Sequence, residues 1–327
     1  MNFHLDDEQA LLQESAREFL KESPDWERII GEAGWPAIVI PEDFGGWGFS
    51  HVELAVIFEE LGRSLVRCPM LGTAAATEAI LVGGDDVQKA RYLEAIATGT
   101  PAALALGADV RMAEGGLDGT ANLVIDGASA GLVVVQTRFD GLFVTEHFAA
   151  EAVEALDSTR EMATLTFDNA PAERLERADV EVILARIRSL VAAEAVGGAE
   201  ACLDMAVDYA KVRRQFGQPI GSFQAIQHKC ADMLLLVESA RSASWYAAST
   251  IETDAKELEI ASRTAKAYAT DAFFKCAGEN IQIHGGIGFT WEHDAHLYFK
   301  RARALQALYG EPREHREALA TALLGEM

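Results

Sequence analysis

Leu11, Leu12, Ala16, Phe19 and Leu20 repeat at the three-to-four-residue spacing of a helix with one buried stripe. The stripe starts behind Asp6, and Gln9 stands three residues later, the pattern of an aspartate N-cap answered by a glutamine. The helical period returns from His51 to Leu61, Thr73 to Leu81 and Asp86 to Ile96. Breaker-rich turns at Gly34-Trp35-Pro36 and from Pro41 to Gly48 interrupt it. From about Thr100 short apolar or β-branched runs replace it: Ala102 to Leu106, Leu123 to Ile125, Gly131 to Gln136, Leu142 to Thr145 and Ala163 to Phe167. Gly115-Gly116, Asp118-Gly119 and Asp140-Gly141 separate them, which predicts a small antiparallel sheet unit. Long helical patterns follow from Glu181 to Val212, Phe223 to Glu252 and Leu258 to Ile281, then shorter ones from Asp294 to Leu308 and Glu314 to Leu324. Such lengths joined by short turns predict an antiparallel four-helix arrangement. The expected fold is α+β, mainly α: an N-terminal helical domain over 1–98, a reduced β-domain over 99–173 and a C-terminal helical bundle over 174–327.

Composition narrows the function classes. Half of the 327 residues are hydrophobic, enough for a large core. The net charge of −23 disfavours nucleic acid and anionic membrane surfaces as partners. Cys68, Cys202, Cys230 and Cys276 form no CxxC pair and read as reduced thiols of a cytoplasmic protein. Met1 to Asp7 lack the basic and apolar runs of a signal peptide, and no apolar segment reaches the ~20 residues of a membrane span.

In so acidic a chain, positive groups at a helix end stand out. Arg213-Arg214-Gln215-Phe216-Gly217-Gln218-Pro219-Ile220 closes one long helix pattern, and Phe223-Gln224 opens the next. The result is a helical hairpin with cations and backbone donors at its tip, suited to an anionic ligand; arginine grips phosphate bidentately. Cations also suit a helix C-terminus for its dipole alone. Farther on, Gly285-Gly286 strips side chains from a turn, so that backbone N–H groups can approach a ligand, and Gln282 adds a donor. Glu292, His293 and His296 suggest a metal only weakly, because no pair of Glu-x-x-His motifs accompanies them, so none is expected. Arg301 and Arg303 read as a solvated helix face and Trp291 as a packing residue.

These motifs together resemble the acyl-CoA dehydrogenase family. The hairpin and Gln282-Ile283-His284-Gly285-Gly286-Ile287-Gly288-Phe289 are the most specific matches. Pro41-Glu42-Asp43-Phe44-Gly45-Gly46, Glu59-Glu60-Leu61-Gly62-Arg63, Leu156-Asp157-Ser158-Thr159-Arg160 and Phe167-Asp168-Asn169-Ala170-Pro171 extend the likeness over most of the chain. The resemblance implies FAD as cofactor, contacted by Arg213, Gln215, Phe216, Gln224, Gln282, Gly285 and Gly286 across a subunit interface. It also implies α,β-dehydrogenation of an acyl-CoA thioester, a homodimer or heterotetramer with a fuller subunit, and an electron-transfer flavoprotein as acceptor.

Three departures qualify the resemblance. Counted from Gly285, the family's glutamate base falls on Tyr309, whose phenol, with a reference pKa of about 10, is a poor base at neutral pH. Glu311 lies two residues on. A second base position falls on apolar Ile187, beside Arg188, a candidate substrate contact. Glu194, two helical turns from Ile187 in an apolar run, is a candidate base or a satisfied structural acid. Around Ala105 to Arg111 the family's flavin-ring loop motif is missing. The combination resembles the short subunit of heteromeric bacterial acyl-CoA dehydrogenases that act on bulky, sterol-type esters. Two alternatives are a catalytically silent flavin-sharing subunit and an apo-homodimer that binds an acyl thioester without redox chemistry.

Overall fold

The structure is a computed structural model that describes residues 5–251 and 255–325; Met1–His4 and Glu252, which the sequence reading touched, lie outside the described residues. The helices form where the apolar period placed them. They are α1 Asp7–Leu20, the short α2 Trp26–Arg28, α3 His51–Ser64, α4 Met70–Gly83, α5 Asp86–Ala97, α6 Val180–Val212, α7 Gln224–Thr250, α8 Ala255–His284, α9 Ala295–Ala307 and α10 Pro312–Leu324. Asp6 caps α1 and Gln9 completes the capping box. The strands are β1 Ala102–Ala105, β2 Asp109–Ala113, β3 Gly116–Ile125, β4 Leu132–Gln136, β5 Leu142–Thr145, β6 Ala149–Val153, β7 Met162–Ala170, β8 Glu173–Arg174, and the two-residue β9 Arg214–Gln215 and β10 Gln218–Pro219. The predicted class holds: helical, then β, then a helical bundle.

By compactness the described chain forms two units, each of non-contiguous segments. One contains 23–54 and 67–187. The expectation of a single small antiparallel sheet is corrected here. Two four-stranded sheets form, in the orders β1-β4-β5-β8 and β2-β3-β7-β6, and β1 runs parallel to β4. The parallel pair escapes local reading because its partners lie about 30 residues apart, with β2 and β3 between them. Strands β2 and β6 were not expected; β6 is exposed throughout most of its length and lacks an apolar alternation. Val110, Leu117, Val133, Val135, Leu165 and Phe167, from both sheets, share one core. Helix α4 is buried on nearly all sides, and its Glu78 carboxylate is satisfied by His51 Nε2 at 2.8 Å and Arg186 Nη1 at 2.9 Å.

The other unit contains the described part of 1–22 with 55–66 and 188–327. Here α3 crosses α6 at backbone contact. A Cβ on Gly62 would meet the Glu194 carbonyl oxygen at 1.9 Å, and one on Gly197 would meet that of Glu59 at 1.7 Å. Gly198 leaves similar room for the Phe273 ring of α8. Buried carboxylates flank the crossing and reach arginines on other helices: Glu60 to Arg17 of α1 at 2.6 Å and Glu59 to Arg241 of α7 at 2.9 Å. Burial pushes the Glu59 carboxyl up to about 7 despite Arg241.

The crossing leaves no space for a methyl group. Gly197→Ala is expected to destabilise the protein by at least the ~1–3 kcal/mol of an overpacked core, read by urea unfolding. Gly31→Ala, with nothing within 4 Å of the added carbon, serves as the control and is expected to change little.

Candidate functional site

Helix α6 ends at Val212, and the chain turns through β9 and β10 with only Phe216 and Gly217 between the paired residues Gln215 and Gln218. Both turn residues have positive φ, 51° and 82°, the requirement of a two-residue primed hairpin turn. Arg214 Nη2 donates to the Gly217 carbonyl at 2.9 Å and closes the tip. Phe216 is 92% exposed, its only ring contact among the described residues an edge against Phe223. The Arg213 side chain is exposed and has no ion-pair partner among the described residues. The expected helical hairpin is therefore present, with a miniature β-turn at its tip. Gln215 lies on β9, and Gln224 is the first residue of α7; both are exposed.

Gln282 is exposed on the last turn of α8, and Gly285-Gly286 follow it. Gly285 has φ +65°, which explains its glycine. Gly286 has neither a positive φ nor any atom within 4 Å of a built Cβ. Nothing among the described residues requires Gly286 to lack a side chain, so the open space over it suits a molecule from outside. An exposed arginine without an ion pair, an exposed ring and an open glycine turn form a donor set that fits a phosphorylated, aromatic ligand.

The groups considered for proton transfer lie elsewhere in the structure. Tyr309 sits at a corner with φ +53°, and Arg188 Nε donates to its carbonyl oxygen at 3.5 Å. Lys266, fully buried, donates to the carbonyls of Gln306 at 2.8 Å and of Gly310. Burial pushes Lys266 down to about 8. Glu311 caps α10 in a capping box with Glu314 and pairs with Arg303 at 3.2 Å, so it is committed to the helix start. Ile187 is fully buried. Glu194 is 1% exposed and bonded to Arg301 Nη1 at 2.5 Å.

Two expectations are corrected. Arg301 does not face solvent: at 2% exposure it is the buried partner of Glu194, because α9 packs its arginine inward against α6. Arg303, on the other face, is half-exposed. Trp291 is 79% exposed; Lys300 Nζ lies 4.8 Å from its ring centroid, and His296 meets it in an edge contact. Between β1 and β2, Leu106 to Ala108 form a short connection where the family's flavin-ring loop was sought. The sheet-containing unit holds a cavity of about 530 Å³ lined by Arg67, Cys68, Asp126, Asp157, Arg160 and Met162, none of them a sequence candidate. No group of three His, Cys, Asp or Glu suited to a metal occurs among the described residues, and no described helix is long and apolar enough to cross a membrane.

Residues 6–100 match the acyl-CoA dehydrogenase N-terminal domain, and residues 178–324 match the acyl-CoA dehydrogenase C-terminal domain. The acyl-CoA dehydrogenase IpdE2 of Mycobacterium tuberculosis is 38% identical over 88% of this chain and 83% of its own length. The chain belongs to the acyl-CoA dehydrogenase family. Its members are oxidoreductases that act on the CH–CH bond of an acyl-CoA. Among solved structures, the Tcur3481–Tcur3483 steroid ACAD superposes with a TM-score of 0.87 at 26% identity, covering 97% of this chain and 98% of that one. Butyryl-CoA dehydrogenase of Megasphaera elsdenii shares the fold, with a TM-score of 0.88 at 24% identity over 99% of this chain and all of that one.

The ion pair carries one expected outcome. Glu194→Gln leaves Arg301 buried without its charge partner and should cost ~3–5 kcal/mol in denaturant unfolding. Replacing both residues by apolar ones of similar volume should recover most of that loss. A Glu194→Gln protein that stays fully stable and flavin-loaded but loses activity would instead make Glu194 a base.

The corner at Tyr309 carries a second. Burial, with Lys266, Arg188 and Arg263 nearby, pushes the His315 imidazole from its ordinary 6.5 down to about 3. Below pH 6.5 the unfolded chain takes up a proton that the folded chain refuses, so stability falls as pH drops from 6.5 toward 3. Unfolding free energies across that range should lose part of this slope in His315→Gln.

Proposed function

We propose that this chain is a subunit of an FAD-dependent acyl-CoA dehydrogenase in which it holds the phosphate and adenine end of a flavin shared with a fuller subunit. FAD, when bound, supplies the hydride acceptor for dehydrogenation of the acyl thioester. The chain's own contribution is grip. Arg213 offers its guanidinium to a phosphate, Gln215, Gln224 and Gln282 add neutral donors, Phe216 offers a ring face, and the Gly285-Gly286 turn lets backbone N–H groups come close. The base for removing the Cα proton comes from the partner.

One observation carries this reading: an exposed hairpin tip, whose Arg213 has no ion pair among the described residues, coexists with the lack of a free carboxylate at each of the four positions considered for the base. Tyr309 occupies the family's base position, Ile187 is buried, Glu311 is a helix cap, and Glu194 is tied to Arg301. The likeness to the steroid ACAD, together with the sequence departures, points to a bulky acyl group as substrate and to an unlike partner subunit.

The test is co-expression with a fuller family member, followed by flavin-to-protein stoichiometry and acyl-CoA oxidation. One flavin per unlike pair is expected. Arg213→Ala should weaken FAD binding by roughly ten- to a hundredfold, the worth of a charge-assisted hydrogen bond. Full activity of this chain alone, with one flavin per chain, would overturn the shared-site reading.

A further inference from the structure

Three rings pack in series between the two segments just described. The Tyr209 ring of α6 stacks 4.3 Å from the His284 imidazole at an interplanar angle of 26°, and the His284 ring lies 4.2 Å from that of His293, tilted by 46°. Their places in the chain give the stack meaning. Tyr209 accepts at its carbonyl the N–H of Arg213, the last helical bond before the hairpin tip. His284 is the last residue of α8 and immediately precedes Gly285-Gly286. His293 lies where the chain leaves that turn and enters α9.

The hydrogen bonds fix where the protons are. His284 Nδ1 faces the Asn280 carbonyl at 2.9 Å, so that nitrogen carries the hydrogen. His293 Nδ1 accepts the N–H of Ala295 at 3.1 Å, so its hydrogen is on Nε2. Asp294 makes no side-chain cap, and His293 thus serves the first N–H of α9.

We propose that Tyr209, His284 and His293 are positioning residues: their packed rings lock the hairpin tip to the Gly285-Gly286 turn. Two segments far apart in sequence must present donors to one ligand at fixed spacing. A stack that joins Tyr209 to His284 sets that spacing before any ligand arrives, which lowers the ordering cost of binding. The role in flavin binding rests on the function proposed above; the mechanical coupling of the two segments does not.

Hydrogen–deuterium exchange on the full chain, corrected for intrinsic rates, tests the coupling directly. Tyr209→Leu should speed exchange of residues 213–217 and 285–293 together at about pH 7.5, and weaken FAD binding by up to about tenfold, the worth of one aromatic pair. The proposal is overturned if Tyr209→Leu loosens one segment only. Arg213→Ala separates the two ideas, because it should weaken FAD without altering exchange. If the unmodified chain and its complex bind no FAD at all, the proposed function falls, while exchange still decides the lock.

Discussion

The backbone contact between α3 and α6 at Gly62 and Gly197 determines the helical unit. Two helices that approach this closely bury the side chains that flank the contact, and those include Glu59, Glu60 and Glu194. Charges there must find partners, and each finds one on a different helix: Glu60 on Arg17 of α1, Glu59 on Arg241 of α7 and Glu194 on Arg301 of α9. The Tyr298 hydroxyl of α9 also donates to the Arg63 carbonyl at 2.5 Å. Apolar packing alone would tolerate several registers of these helices. Buried ion pairs contribute little net stability, but a wrong register leaves a bare charge, so they select one arrangement.

That arrangement has a chemical consequence. A carboxylate is useful as a base only if it is free to take a proton from substrate. Glu194 is bound within the crossing, and Glu59 and Glu60 hold arginines. The acids of this unit that are most buried are thus the ones most committed to architecture. Arg213, exposed and without an ion pair among the described residues, follows the end of α6, far along that helix from the crossing. One helix therefore carries committed charge at its middle and leads into an exposed cation at its end.

Most of the helical framework was legible because helix signals are local. The apolar period, the Asp6–Gln9 box and the glycine turns each act within a few residues, and the observed bounds fall close to those expected. What escaped was non-local. The β1–β4 parallel pair, the Glu194–Arg301 bond across 107 residues and the Tyr209–His284–His293 ring series depend on which surfaces the fold brings together. One signal was available. Gly197-Gly198 in the middle of an apolar helix costs ~1 kcal/mol per glycine in propensity, and such a pair implies close packing. Read that way, the pair favours the structural-acid reading of Glu194 over the base. No local feature marked Arg301 as its partner.

The corner at Tyr309 is explained by the same distinction between committed and free groups. Arg188 and Lys266 both address backbone oxygens there, at Tyr309, Gln306 and Gly310, and so cap the end of α9 with positive charge. A carboxylate side chain near these cations would be held in its ionised form and would be a weak proton acceptor. The corner is thus unsuited to a base by its surroundings as well as by its tyrosine. The charged groups of this corner are instead given over to ending α9 and starting α10.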